Sequence, residues 1–158
     1  MPEIQLFGLT LKGDSLKEEV LQCIDKAIPF PLLFELRRKG QVRYTAAYKR
    51  PSTADSAVWV VSGYFSNGWQ PADSPRKSLP VVLNMECLYA SLLEPLLPFE
   101  ARPGEGLAEH ILWIEVIQKL QAEIARYENE MIREKQFNKK IALNQTVRDL
   151  QTKLKVLA

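Results

Sequence analysis

Glycine and proline are missing from the last third of this chain. All seven glycines and all ten prolines of the 158 residues lie at or before Gly106, so residues 107–158 contain neither. Helix-breaking residues are confined to a front part, and the rest is free to run as a long helix. Histidine is nearly absent, with His110 the only one, and cysteine is limited to Cys23 and Cys87. Two distant cysteines make no disulfide framework, and a reducing, cytoplasmic setting is the expectation. A zinc site needs three or four nitrogen or sulfur ligands; these three residues have no ligand spacing, so neither metal nor cofactor is expected. No apolar run reaches the roughly 18 residues of a membrane span. The opening Met1-Pro2-Glu3-Ile4 lacks the basic and apolar regions of a signal peptide. Charge of one sign is also lacking. Twenty-one Lys and Arg face 19 Asp and Glu, a net +2 that by itself does not argue for nucleic acid. What remains is a chain with 46% apolar residues, which suits a folded protein of about one domain.

The front part reads as β-α-β-β-β-α. Residues 3–11 are apolar on both faces and predict a strand covered on both sides. Ser15 followed by Glu18 has the spacing of a capping box. Leu16, Val20, Cys23, Ile24 and Ala27 then recur at helical spacing, until Pro29 and Pro31 end the helix. Residues 32–37 and 42–49 read as a hairpin around Arg38-Lys39-Gly40-Gln41. In its second strand Val42, Tyr44, Ala46 and Tyr48 alternate with Arg43, Thr45, Ala47 and Lys49, the pattern of a half-buried strand. Residues 51–57 form a polar connection, 58–65 a further strand and 66–80 a surface loop. Asn84 is placed to cap a helix over residues 85–93. The class is α+β, with a small, mainly antiparallel sheet.

Residues 107–158 are expected to be one long helix attached to a head of residues 1–106. The run at 111–117 is apolar nearly all round, so its first turns should pack on the head. Trp113, Ile117, Leu120, Ile124, Tyr127 and Met131 form a 3-4 repeat. A second repeat, out of phase, runs Leu143, Val147, Leu150, Leu154, Leu157. A straight helix would span roughly 78 Å, against a head roughly 35 Å across. Its far half needs burial, and without glycine or proline for a turn the favoured source is a second chain. A homodimer, other homo-oligomer or larger protein partner through those eleven residues is therefore expected.

Five strings of the sequence resemble one family: residues 24–36 (IDKAIPFPLLFEL), 46–50 (AAYKR), 63–66 with Trp69, 79–84 with Leu88-Tyr89, and 133–144 (REKQFNKKIALN). Together they resemble the prokaryotic domain of unknown function DUF4391 over nearly the whole chain. The resemblance implies no assigned activity. It implies a gene neighbourhood of helicases and DNA-modification enzymes in phage-defence loci, and so an accessory role. It also implies a chain shortened at the N-terminus, with the apolar first strand left for a partner.

No catalytic motif is present, so an enzyme is not expected. His110 reads as a surface or joint residue, and both cysteines as buried, inert thiols. Asp25, Glu35 and Lys49 are the one constellation with a chemical reading. A degenerate metal-dependent nuclease would bring two acids and a lysine together around Mg²⁺; the plainer reading is surface charges flanking a hairpin. Arg37, Arg38, Lys39, Arg43, Lys49 and Arg50 make that hairpin basic, and with Tyr44 and Tyr48 nearby it is the candidate nucleic-acid contact. Arg133, Lys135, Lys139 and Lys140 form a second basic cluster where the helical register breaks.

Overall fold

A computed structural model describes residues 3–52, 59–76 and 78–157. The expected connection at 51–57 and the first residue of the strand at 58–65 lie largely outside the described residues. The chain divides into two compact units, Met1–Glu100 and Ala101–Ala158.

The first unit runs β1 (Gln5–Thr10), α1 (Glu18–Ala27), β2 (Leu32–Arg38), β3 (Gln41–Pro51), β4 (Trp59–Ser66), a two-residue β5 (Gln70–Pro71), α2 (Met85–Leu93) and a 3₁₀ turn, Glu94–Leu96. The sheet order is β1-β2-β3-β4, with β5 also pairing β3. Only β1 and β2 are parallel; the other pairs are antiparallel. The sheet is therefore mixed, and the α+β class holds. A parallel pair needs a crossover, which α1 supplies. The β2–β3 turn places Lys39 at φ 44° and Gly40 at φ 73°, the left-handed pair of a tight hairpin turn.

Strand alternation sorts the residues between two faces. On one face Leu32, Phe34 and Leu36 of β2 are buried against Leu21 of α1, with Phe7, Leu9, Ile24, Ile28 and Tyr64 packed around them. On the other, α2 and the 3₁₀ turn lie against β3: Tyr48 stacks on Tyr89 at 6.1 Å. Because β3 is central, Thr45, Ala46 and Ala47 are all buried, which corrects the expectation of a half-buried strand. At the sheet margin β1 is the reverse case. Leu6, Gly8 and Thr10 are exposed, so it is covered on one face only.

The capping box at Ser15 and Glu18 does not form; the N-cap of α1 is Lys17, without a side-chain hydrogen bond. The helix buries Leu21 and Asp25 and leaves Val20 and Cys23 exposed, about a turn-fraction away from the anticipated stripe. Asn84 caps α2 as expected, accepting from the Cys87 amide at 2.9 Å.

The second unit carries the main correction. Residues 107–158 are not one helix. They form α3 (Leu107–Arg133) and α4 (Phe137–Leu157), which pack against each other. Glu134 ends α3 with extended φ/ψ, and its carboxylate accepts from the amides of Lys135 at 2.7 Å and Gln136 at 2.9 Å. The reversal needs neither glycine nor proline because a side chain takes the amides it frees. Gln136 then bonds Lys140, opening α4. At the open end, Trp113 Nε1 donates to the Leu157 carbonyl at 2.8 Å. From that anchor, equal rise on two antiparallel helices sets Ile117 level with Leu154, Leu120 with Leu150, Ile124 with Val147 and Tyr127 with Leu143. The two out-of-phase repeats are thus the two walls of one seam, and Ile124 and Val147 are buried within it.

Replacing Ile124 by Ala in the seam is expected to lower stability by about 2–4 kcal/mol. Ile132→Ala, on a side chain that is 75% exposed, should change it by less than about 0.5 kcal/mol. Urea unfolding followed by circular dichroism at 222 nm measures both.

Candidate functional site

The most polar part of the first unit's interior is built around a bulge in β3. The register with β4 shifts between Ala47 and Lys49, which frees backbone groups there. Tyr89 of α2 takes them: its hydroxyl donates to the Ala47 carbonyl at 2.7 Å and accepts from the Lys49 amide at 2.9 Å. The Lys49 side chain leaves by the opposite face. Its ammonium donates to the carbonyls of Asp25 and Ile28, both at 2.5 Å, and lies 3.4 Å from Asp25 Oδ1. Those carbonyls belong to the C-terminal end of α1, where the helix presents partial negative charge and unpaired acceptors. Tyr64 of β4 donates its hydroxyl to the other carboxylate oxygen of Asp25. Burial, then that hydrogen bond and the Asp25 charge, push the Tyr64 phenol far above its ordinary value. Burial does the same to Tyr89.

Asp25 and Lys49 side chains are 3% and 1% exposed. They are not surface charges, which corrects the plainer reading of that pair. The arrangement is a helix C-cap made by a lysine from the sheet, with a counter-ion from the same helix. A buried lysine capped by two carbonyls and a carboxylate has its proton-donating capacity committed to structure.

Glu35 does not join them. Phe34 and Leu36 face α1, so Glu35 between them faces the other way. There its carboxylate pairs with Arg37, accepts from the Tyr44 hydroxyl at 3.0 Å and lies 3.5 Å from Arg76. Burial pushes Glu35 up, but the hydrogen bonds from Arg37 and Tyr44 and the charges of Arg37 and Arg76 outweigh it and hold it below its usual range. Two acids and a lysine on opposite faces of one sheet cannot hold a shared Mg²⁺, and the degenerate-nuclease arrangement is thereby excluded for these residues. Among the described residues, no three His, Cys, Asp or Glu side chains form a group that could hold a metal ion.

The six basic hairpin residues are not brought to one surface. Lys49 is buried, so it is withdrawn as a nucleic-acid contact. Arg37 is paired to Glu35 on one face. On the other face Arg38 stacks over Trp69 at 4.1 Å, with Arg43 at 5.9 Å from the same ring. Lys39 bonds Asp14 at 2.7 Å. Arg50 lies seven positions along β3 from Arg43, about 23 Å at strand rise. All four basic residues near the turn already hold partners within the unit.

In the second unit His110 is buried, not at the surface, with its ring 5.9 Å from Trp113. Both cysteines are exposed. The expected interface residues Trp113, Ile117, Leu120, Ile124, Tyr127 and Met131 line α3, and Leu143, Val147, Leu150, Leu154 and Leu157 line α4. Their stripes meet within the chain, so the burial demand that pointed to a second chain is met by α3 and α4 themselves. Leu157, at the open end, stays exposed, and Leu112, Val116, Val156, Ile132, Phe137 and Ile141 are exposed off the two stripes, where sequence periodicity did not single them out. Ile132, Phe137 and Ile141 flank the reversal at 75%, 74% and 54% exposure. Around them Arg133, Lys135, Lys139 and Lys140 are all exposed. The one acid among them, Glu134, is engaged by the Gln136 and Lys135 amides, which hold its carboxyl below the usual range, with Lys139 and Lys140 acting in the same direction. The tip of the helical pair is thus apolar and cationic.

The geometry defines a mixed-sheet α+β unit followed by a helical hairpin. The family model for a domain of unknown function, DUF4391, matches residues 1–154, and the chain belongs to that family. No curated protein and no solved structure matches it. No described helix is long and apolar enough to cross a membrane.

Removing one member of the buried pair, as in Lys49→Met, is expected to cost about 3–5 kcal/mol because Asp25 stays buried without its counter-ion. Asp25→Asn combined with Lys49→Met should cost clearly less than the two singles added, a double-mutant cycle read by urea midpoints. A pH dependence follows from Tyr64 and Tyr89. Their folded-state values lie above the ordinary 10.0, so their contribution is complete below that pH and is lost as pH rises past it. The urea midpoint should fall above pH 10.0, and less steeply in Tyr64→Phe.

Proposed function

We propose that this protein is a non-catalytic interaction module that docks a larger protein through the tip of its helical hairpin. One observation carries the reading: Ile132, Phe137 and Ile141 remain exposed beside the reversal among the cations Arg133, Lys135, Lys139 and Lys140, and Glu134, the one acid between those cations, is engaged in capping. Exposed apolar side chains gathered at one end of a helical pair and rimmed by charge mark protein-interaction sites. The partner surface that fits is apolar at its centre and acidic at its rim. The aliphatic Ile132 and Ile141 have no use against a phosphate backbone, and bases stack on aromatic rings, so a protein partner is preferred over nucleic acid.

The resemblance to DUF4391 adds a direction. A gene neighbourhood of helicases and DNA-modification enzymes makes such an enzyme the first partner to test, with this chain as its accessory. Co-expression with a candidate helicase or DNA-modification enzyme, followed by affinity purification of the pair, is the experiment. A stable complex is expected, and Phe137→Asp with Ile141→Asp should weaken it at least about thirty-fold, as loss of a 2 kcal/mol hot spot does. A complex indifferent to that double substitution would refute docking through the tip.

A further inference from the structure

Among the described residues, the first unit leaves two uncharged, largely apolar stretches of backbone with pairing groups unused. One is the outer edge of β1, whose sequence Gln-Leu-Phe-Gly-Leu-Thr carries no charge and no proline. Among the described residues, only β2 pairs with it. Proteins blunt open sheet edges with lysine, proline or a bulge, and this edge has none of them. Its outward Leu6 is 57% exposed.

The other stretch is Leu79-Pro80-Val81-Val82-Leu83, before α2. It makes no backbone hydrogen bond to any described residue. Leu79, Val81 and Leu83 are 69%, 104% and 98% exposed. Three alternating apolar side chains would occupy one face if the segment ran as a strand. Proline removes a donor from one edge of a strand only, so Pro80 leaves the opposite edge, through residues 79, 81 and 83, able to pair. The segment's anchorage is defined: Asn84 directly after it caps α2.

We infer that this chain self-associates by strand addition, residues 79–83 of one copy lying along β1 of a second copy. A second copy is the occupant because one chain offers both halves of the contact. An uncharged five-residue apolar strand meets an uncharged six-residue open edge. Strand addition of this kind joins main-chain hydrogen bonds with alternate side-chain contacts. Reciprocal exchange about a two-fold axis would close the assembly at a dimer. The helical hairpin takes no part, so this contact stands independently of docking through the hairpin tip.

The test is light scattering on the eluting full chain across the micromolar range. Wild type should show a mass twice 18.1 kDa. Val81→Asp and Leu6→Lys should each restore a mass of 18.1 kDa, with unchanged circular dichroism because both side chains are exposed; Val81→Ser is a milder second version of the first. Phe137→Asp with Ile141→Asp should leave the dimer intact. A wild-type monomer at every concentration, or a dimer that survives both Val81→Asp and Leu6→Lys, would overturn the inference.

Discussion

A helix can reverse direction only if the amides freed at the turn find acceptors, and in this chain the acceptor is a single carboxylate. Glu134 ends α3 and holds the Lys135 and Gln136 amides. Everything distinctive about the second unit depends on that turn. It brings the stripe from Trp113 to Met131 against the stripe from Leu143 to Leu157. It thereby satisfies within one chain a burial demand that a straight helix would have passed to another. It also leaves Ile132, Phe137 and Ile141 at the point of reversal, where neither helix covers them.

The first unit follows the same rule of polar accounting. A bulge in β3 and the end of α1 both free backbone groups. Lys49 stands at the intersection: its amide is taken by Tyr89 on one side of the sheet, and its ammonium takes the carbonyls of Asp25 and Ile28 on the other. One residue thus ties α1, the sheet and α2 together. That explains a charged side chain in the interior without recourse to catalysis. It also explains why Tyr64 and Tyr89 are both held protonated: each phenol serves an acceptor that is already in place.

Much of this fold was legible in the sequence where local chemistry decides it. Asn84 capped α2, Pro29 and Pro31 closed α1, and Lys39-Gly40 made the hairpin turn. The phase change between Met131 and Leu143 was also readable, but its meaning was not. Reversals are usually marked by glycine or proline, and a glutamate capping the two residues after it carries no such mark. The signal was Glu134 itself, the acid that interrupts the apolar repeat. Burial was the least legible quantity. Lys49 shares a series with Arg43, Thr45 and Ala47, which reads as the polar side of a strand until the sheet order shows β3 at its centre. Glu35 looked like a companion of Asp25 because sequence proximity ignores the two faces of a strand. Of the candidate contact residues, the cations at the tip were visible as a cluster, while the exposed apolar side chains among them emerged only once the stripes had found each other.

The hairpin is the central claim, since the proposed docking tip requires that the helix turn back. Spin labels at Gln121 and Gln151, both exposed, measure it directly by double electron–electron resonance. Packed antiparallel helices with axes about 8–10 Å apart place the labels within roughly 20 Å, unchanged when labelled protein is diluted with unlabelled protein. A continuous helix would instead separate the two positions by about 45 Å at 1.5 Å per residue, and that distance would contradict the account.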